Sequence, residues 1–243
     1  VAAYQADLTG LAGGAAVVFA SGFLNPAANQ EGAAFGLFAA LPNGTVIELP
    51  QITTARLQVI HNAADPAAEM VDVYVNGGLL LDNFAFRTAT PFVDVPAGTP
   101  LEIGVAGNNS TNASEALATF TVTLTPGRTY VAMANGVLDP NSFAENPDGL
   151  PIGFSLYPQE GIAEKSPYGH FVSLVAFHGA SDAPTVDVVP QLGKVRIPIF
   201  NDLSYGSFSE RRLLPAWKYI LDVTPGGDNK TVVASFVADL RGL

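Results

Sequence analysis

The two ends of this chain carry the same short pattern. Phe236-Val237-Ala238-Asp239-Leu240-Arg241-Gly242-Leu243 matches Tyr4-Gln5-Ala6-Asp7-Leu8-Thr9-Gly10-Leu11, with Asp7 and Asp239 lying 232 residues apart. Half that spacing recurs inside the chain. His61 to His178 and Asp65 to Asp182 are each 117 residues apart, while Gly22 to Gly136 and Pro26 to Pro140 are each 114. A period near 116 residues describes a window about two periods long on a tandem array, opened in the middle of a repeat. This constrains architecture strongly and chemistry weakly.

The best-matched segments divide the period into halves. A first half opens with Val59-Ile60-His61-Asn62-Ala63-Ala64-Asp65-Pro66 and Val71-Asp72-Val73-Tyr74, matched by Ala176-Phe177-His178-Gly179-Ala180-Ser181-Asp182-Ala183-Pro184 and Val186-Asp187-Val188. A second half carries Ala134-Asn135-Gly136-Val137-Leu138-Asp139-Pro140 and Ile152-Gly153-Phe154; Ala20-Ser21-Gly22-Phe23-Leu24-Asn25-Pro26 and Phe35-Gly36-Leu37 match it. Residues 1–50 are thus expected to be a second half without its first, 54–160 a complete copy, and 170–243 a first half without its second. An orphan half exposes strand edges and half a core, so something must complete it. Either the two ends close on each other within one chain, as a circular permutation, or the tail of one chain takes up the head of the next.

The strand signal has period two. Arg56-Leu57-Gln58-Val59-Ile60-His61, Phe92-Val93-Asp94-Val95, Leu101-Glu102-Ile103-Gly104-Val105 and Phe120-Thr121-Val122-Thr123-Leu124 each alternate, which buries one face and wets the other. Turns punctuate them at Asn76-Gly77-Gly78, Pro96-Ala97-Gly98, Thr125-Pro126-Gly127 and Thr224-Pro225-Gly226-Gly227. No segment sustains a helical period. Ala12–Ala20 is rich in Ala, yet Gly13-Gly14 and Val17-Val18-Phe19 favour a strand there. The expected class is all-β, as tandem β-sandwich domains.

Composition narrows the partners. Asp and Glu (22) outnumber Lys and Arg (11), so a net charge of −11 repels phosphate backbones and nucleic acid is not an expected partner. The chain has no Cys, which excludes disulfides and thiolate metal sites and leaves the redox compartment open. The apolar segment Leu11–Leu24 is too short to span a bilayer and lacks a basic flank, so membrane insertion is not expected. A chain that begins in mid-repeat, without an initiator Met, reads as a processed or excised piece of something longer.

Few residues suggest chemistry. His61 with Asp65, and His178 with Asp182, place an imidazole and a carboxylate four residues apart; the pair suits metal binding or acid–base work, but equally a structural turn in which Asp caps and His satisfies backbone groups. The structural role is the expected one, because every repeat requires it. Asp72 and Asp187, each between valines, are expected to face solvent or a loop-lined rim. The loop around Asp139, Asn141, Glu145 and Asp148 is the densest oxygen cluster and the weak candidate for calcium; no other cofactor is expected. No phosphate-binding loop, His-Glu-x-x-His or Gly-x-Ser-x-Gly occurs, so no enzyme activity is expected. Sequons at Asn43, Asn108, Asn109, Asn112 and Asn229 are acceptors if the host glycosylates outside the membrane. Trp217 and Tyr219 are expected in core or interface packing, with a sugar-stacking platform as the alternative.

The His-x-Ala-x-Asp-x-Pro-like opening, the Val-Asp-Val strand, the Asn76-Gly77 turn and the Pro-Ala-Gly turn together resemble the bacterial secreted family termed domain of unknown function 4397. The second repeat departs from it by inserting Ala183 between Asp182 and Pro184 and by replacing the Asn-Gly turn with Pro190-Gln191-Leu192-Gly193. The resemblance implies an exported, often multidomain bacterial surface or matrix protein with immunoglobulin-like sandwiches, and no catalytic residues. The expected function is an extracellular structural or adhesive repeat protein; of the two ways to complete the orphan halves, closure within one chain is favoured on economy, and head-to-tail strand complementation would make the protein a filament subunit. The alternative is a carbohydrate- or peptide-binding surface module. Expected partners are other copies or adjacent repeats, and surface glycans.

Overall fold

The computed structural model describes residues 2–193 and 195–242, with only the backbone of Leu11; Leu243, the last residue of the terminal match, lies outside the described residues. The chain divides into two compact units, one of residues up to Ala55 with Val95–Thr99 and Thr123–Gly127, the other of the remainder.

In the first unit, β1 (Ala3–Tyr4) pairs with β5 (Gln51–Ile52), while β2 (Val17–Ser21), β3 (Gly36–Ala40) and β4 (Val46–Leu49) form an antiparallel sheet in that order. The β-branched and aromatic run Val17-Val18-Phe19 overrides the Ala-rich context, because such side chains fit an extended backbone better than a helix. The chain leaves β2 through Gly22 at φ +89°, where a Cβ would stand 2.1 Å from the Ala34 carbonyl oxygen. Only glycine fits there. This sheet is poorly covered: Val17, Val18, Phe19, Val46 and Ile47 are all exposed, and Leu24 beyond β2 is 86% exposed.

In the second unit, strands β6 (Thr54–His61, beginning in the first unit), β7 (Met70–Val75), β8 (Gly78–Ala85), β9 (Val93–Pro96, ending in the first unit), β10 (Pro100–Gly107), β11 (Ala118–Thr123, its last residue in the first unit), β12 (Thr129–Asn135) and β13 (Ser155–Glu160) form two four-stranded sheets. Their orders are β11-β10-β7-β8 and β13-β12-β6-β9. β12 runs parallel to β6, from Thr129 opposite Arg56 to Ala134 opposite His61, and antiparallel to β13. Asn76 and Gly77 both take positive φ in the two-residue turn between β7 and β8, which matches the twist of a tight hairpin. The sheets face each other across Val71, Val73 and Val105, against which Ile103, Phe120, Leu138 and Phe154 pack. Each such buried side chain contributes about 1.5–3 kcal/mol. A cavity of about 50 Å³ remains between them.

The rest of this unit contains β14 (Phe171–Leu174), β15 (Val186–Pro190), β16 (Phe200–Leu203), β17 (Arg212–Pro215), β18 (Lys218–Pro225) and β19 (Ala234–Asp239). The sheet β16-β15-β18-β19 has the same sequential plan as β8-β7-β10-β11. Among the described residues its companion sheet holds just β14 and β17, the counterparts of β6 and β9. The consequence is visible in burial. Val71, Val73 and Val105 are buried, whereas the matching Val186, Val188 and Val223 are only half-buried, and Phe236 on β19 is 60% exposed where the matching Phe120 packs into the core.

Candidate functional site

The His–Asp segment after β6 holds the two sheets together. Asp65 caps a one-turn helix at Pro66–Ala68, its Oδ1 accepting from Ala67 N–H at 2.9 Å, and its Oδ2 accepts from Leu138 N–H at 2.8 Å. One carboxylate thereby ties the start of the domain to the turn after β12. His61 is fully buried beside Phe84 and Phe86, and its Nε2 bonds the Ala68 carbonyl at 2.8 Å, as donor in that tautomer. Burial holds its pKa below the ordinary value despite the pull of that carbonyl. The ring closes a backbone loop and is shut off from solvent.

The second His–Asp segment is built alike on one side and open on the other. His178 Nε2 bonds the Pro184 carbonyl at 2.9 Å. Asp182, however, is exposed and has no hydrogen-bond partner among the described residues.

Asp72 and Asp187 do not face solvent or a rim. Both are buried, at 1% and 0% exposure, because each strand register slips at that point and the carboxylate satisfies the displaced amide. Asp72 accepts from Asn83 N–H (2.9 Å) and from the Ser110 hydroxyl (2.6 Å); Asp187 accepts from Asp202 N–H (2.6 Å) and Gly227 N–H (3.0 Å). Asn83 and Asp202 both have positive φ, which marks two equivalent bulges. Burial raises the Asp72 pKa, but the bonds from Ser110 and Asn83 outweigh it and the net shift is downward. These carboxylates set strand geometry.

Between the sandwich and the strands that follow it lies a polar joint within the second unit. Asn135, fully buried at the end of β12, bonds Asn62 (2.8 Å) and the Tyr205 hydroxyl (3.1 Å). Gly179 fits against it so closely that a Cβ would come within 2.1 Å of Asn62 Nδ2. Burial and the neighbouring Tyr157 push the Tyr205 pKa up to about 12. Asn146 donates to the carbonyls of Ser181 and Ala183, and Asp148 accepts from Thr185 N–H and Oγ1. Nothing in the local sequence marked Asn135 or Tyr205, since their partners lie tens of residues away.

The oxygen-rich loop is not drawn together. Asp139 caps its own turn through Asn141 N–H (3.2 Å) and Ser142 Oγ (2.7 Å), Asp148 reaches Thr185, and no cluster of three or more His, Asp or Glu able to hold a metal occurs among the described residues. Among the sequons, Asn43, Asn108, Asn109 and Asn112 are exposed, with Asn112 engaged in capping Ser114, and Asn229 is half-buried. Tyr219 is buried, but Trp217 is exposed, because it follows the bend after β17 and only its backbone is tied, to Pro215 and Leu240. Among the described residues no helix is long and apolar enough to cross a membrane.

Facing β-sheets joined by short turns, with polar groups used for capping and bulges, define an all-β protein of the sandwich type. Residues 53–151, from the start of β6 to just before β13, match the family model described as Domain of unknown function (DUF4397). No curated protein matches the chain.

Proposed function

We propose that this chain is an extracellular structural protein of tandem immunoglobulin-like repeats, which polymerises head to tail as each molecule completes its neighbour's unfinished sandwich. One observation carries the proposal. Among the described residues the sheet β14-β17 lacks the two strands that fill out its counterpart β13-β12-β6-β9, and the first unit carries such a pair in β2-β3, in which β2 is followed at Gly22 by the same glycine turn that follows β12 at Gly136. β14 is paired with β17, and β2 with β3, in separate sheets. Joining the two halves covers apolar side chains that each leaves wet, which is the driving force of strand complementation.

A contact that uses two different surfaces and does not close on itself repeats without limit, so the product is a fibre. Such a fibre has a mechanical role at a bacterial surface or in its matrix. A carbohydrate-binding use is the second reading; exposed Trp217 favours it, but a lone ring makes a small platform.

Sedimentation velocity over a wide concentration range, with negative-stain electron microscopy of the same samples, tests the proposal. Fibres of variable length growing with concentration are expected. A protein that stays monomeric throughout would overturn it.

A further inference from the structure

Resting on that function, we infer that the joint between chains is a site of defined register on a second copy of this protein, in which Asp182 of one chain receives the Leu24 N–H of the next. The template is the complete sandwich. There Asp65 Oδ2 takes the Leu138 N–H, Leu138 packs on the core formed by Val71, Val73 and Val105, and Phe154 meets Phe120 with ring centroids 6.1 Å apart. Sequence spacing and backbone pairing carry each partner to one of the two open halves. By spacing Asp65 corresponds to Asp182, Phe120 to Phe236 and Leu138 to Leu24. By backbone pairing Phe154 corresponds to Phe35, rather than to the Leu37 of the sequence match, since the Phe35 N–H donates to the Phe23 carbonyl as the Phe154 N–H donates to that of Val137. Asp182, Phe236 and Leu24 are all exposed in the single chain, although their counterparts Asp65, Phe120 and Leu138 are engaged.

Backbone register follows from the same template. β12 lies parallel to β6 with Met133 opposite Ile60 and Ala134 opposite His61. Transferred to the open halves, β2 lies parallel to the segment that continues β14, with Phe19 opposite Phe177 and Ala20 opposite His178. The new sheet reads β3-β2-β14-β17. The occupant is a second copy because the missing strands, turn glycine, leucine and phenylalanine all occur in the order required on this same chain.

Two single-cysteine chains, Phe35→Cys and Phe236→Cys, provide the test, since the chain has no cysteine of its own. They are mixed at assembling concentration and treated with a short bis-maleimide, alongside sedimentation of the wild-type full-length chain and of Asp182→Ala. A cross-linked dimer formed only in the mixture is expected, and Asp182→Ala should raise the concentration for half-assembly about tenfold, the effect of losing one hydrogen bond to a charged acceptor. Glu210→Ala, which removes another exposed carboxylate, should leave it unchanged. Assembly that proceeds without the mixed cross-link and without sensitivity to Asp182 overturns the register while leaving the filament intact. Absence of any wild-type assembly overturns both, as does a Phe35→Cys/Phe236→Cys double variant that cross-links only within single chains.

Discussion

Asp65 and Leu138, 73 residues apart, are joined by a 2.8 Å bond from the Leu138 amide to the Asp65 carboxylate. The bond connects the short helix that follows one strand to the turn that follows another, so a residue that looks like a local cap is also a long-range clasp. Leu138 is thereby seated on the core with its amide satisfied. An amide delivered to the same place without an acceptor would carry the cost of a buried, unpaired donor.

Replacing Asp65 by Ala should therefore destabilise more than loss of a helix cap. The variant leaves the amides of Ala67 and Leu138 without their acceptor, a loss of about 2–4 kcal/mol by denaturant unfolding, against about 1 kcal/mol for an ordinary cap. Asp65→Asn, which keeps one acceptor oxygen, should lie between the wild type and Asp65→Ala. Equal stability of all three chains would show that the Leu138 contact contributes nothing.

The buried His61 makes stability depend on pH in a stated direction. Its folded pKa lies below the ordinary 6.5, so between the two values the unfolded chain binds a proton that the native state refuses. The stabilisation is complete above about 6.5 and is lost as pH falls through that window, with a slope of at most about 1.4 kcal/mol per pH unit for one group. Thermal melting from pH 8 to 5 should show the fall. His61→Gln should lower the melting temperature at pH 8 but flatten the curve; an unchanged slope would assign the pH dependence elsewhere.

How much of this was legible depends on the range of each signal. Period-two alternation in Arg56–His61 and Phe120–Leu124 is local, and it gave the strands and the all-β class directly. Asn76-Gly77 likewise declares its turn, because two successive positive φ values have few other sequence solutions. Asp72 misled because alternation assigns its side chain to the face opposite Val71 and Val73, and that face is ordinarily wet. What covers it is a loop: Ser110, 38 residues on, folds over the carboxylate, and a slipped register turns the Asn83 amide toward it. The positive φ shared by Asn83 and Asp202 is the structural trace of that slip, and Asn and Asp tolerate it better than most residues. Asn135 and Tyr205 were invisible for a related reason. Their meaning lies in each other, 70 residues apart, and not in their neighbours.

Tyr205 should be separable from the other tyrosines by titration. Its pKa, held near 12 by burial and by the adjacent Tyr157, means that the native state keeps a proton which the unfolded chain releases near 10. Stability is thus intact below about 10 and declines as pH rises from there toward 12. Of the seven tyrosines, Tyr205 should ionise among the last in an ultraviolet absorbance titration, and Tyr205→Phe should remove that step at a cost of about 1 kcal/mol for the lost bond to Asn135. Ionisation of Tyr205 near 10 would mean that the joint admits water.

The same joint gives the sharpest steric test. Gly179 is pressed against Asn62 and Asn135, so that a methyl group there would meet Asn62 Nδ2 at 2.1 Å and Asn135 Oδ1 at 2.8 Å, both far inside van der Waals contact. Asn135 cannot simply swing aside, because it is fully buried and its amide is already bound to Asn62 and Tyr205. Gly179→Ala must therefore either displace the segment after β14 or break the Asn135 network, at a cost of about 1–3 kcal/mol typical of overpacking. Hydrogen exchange locates which one yields: faster exchange confined to the segment around His178 reports displacement of the strand end, whereas faster exchange extending into the end of β12 reports a broken network. Native-like exchange at both places would show that this contact is not the close fit on which the joint depends.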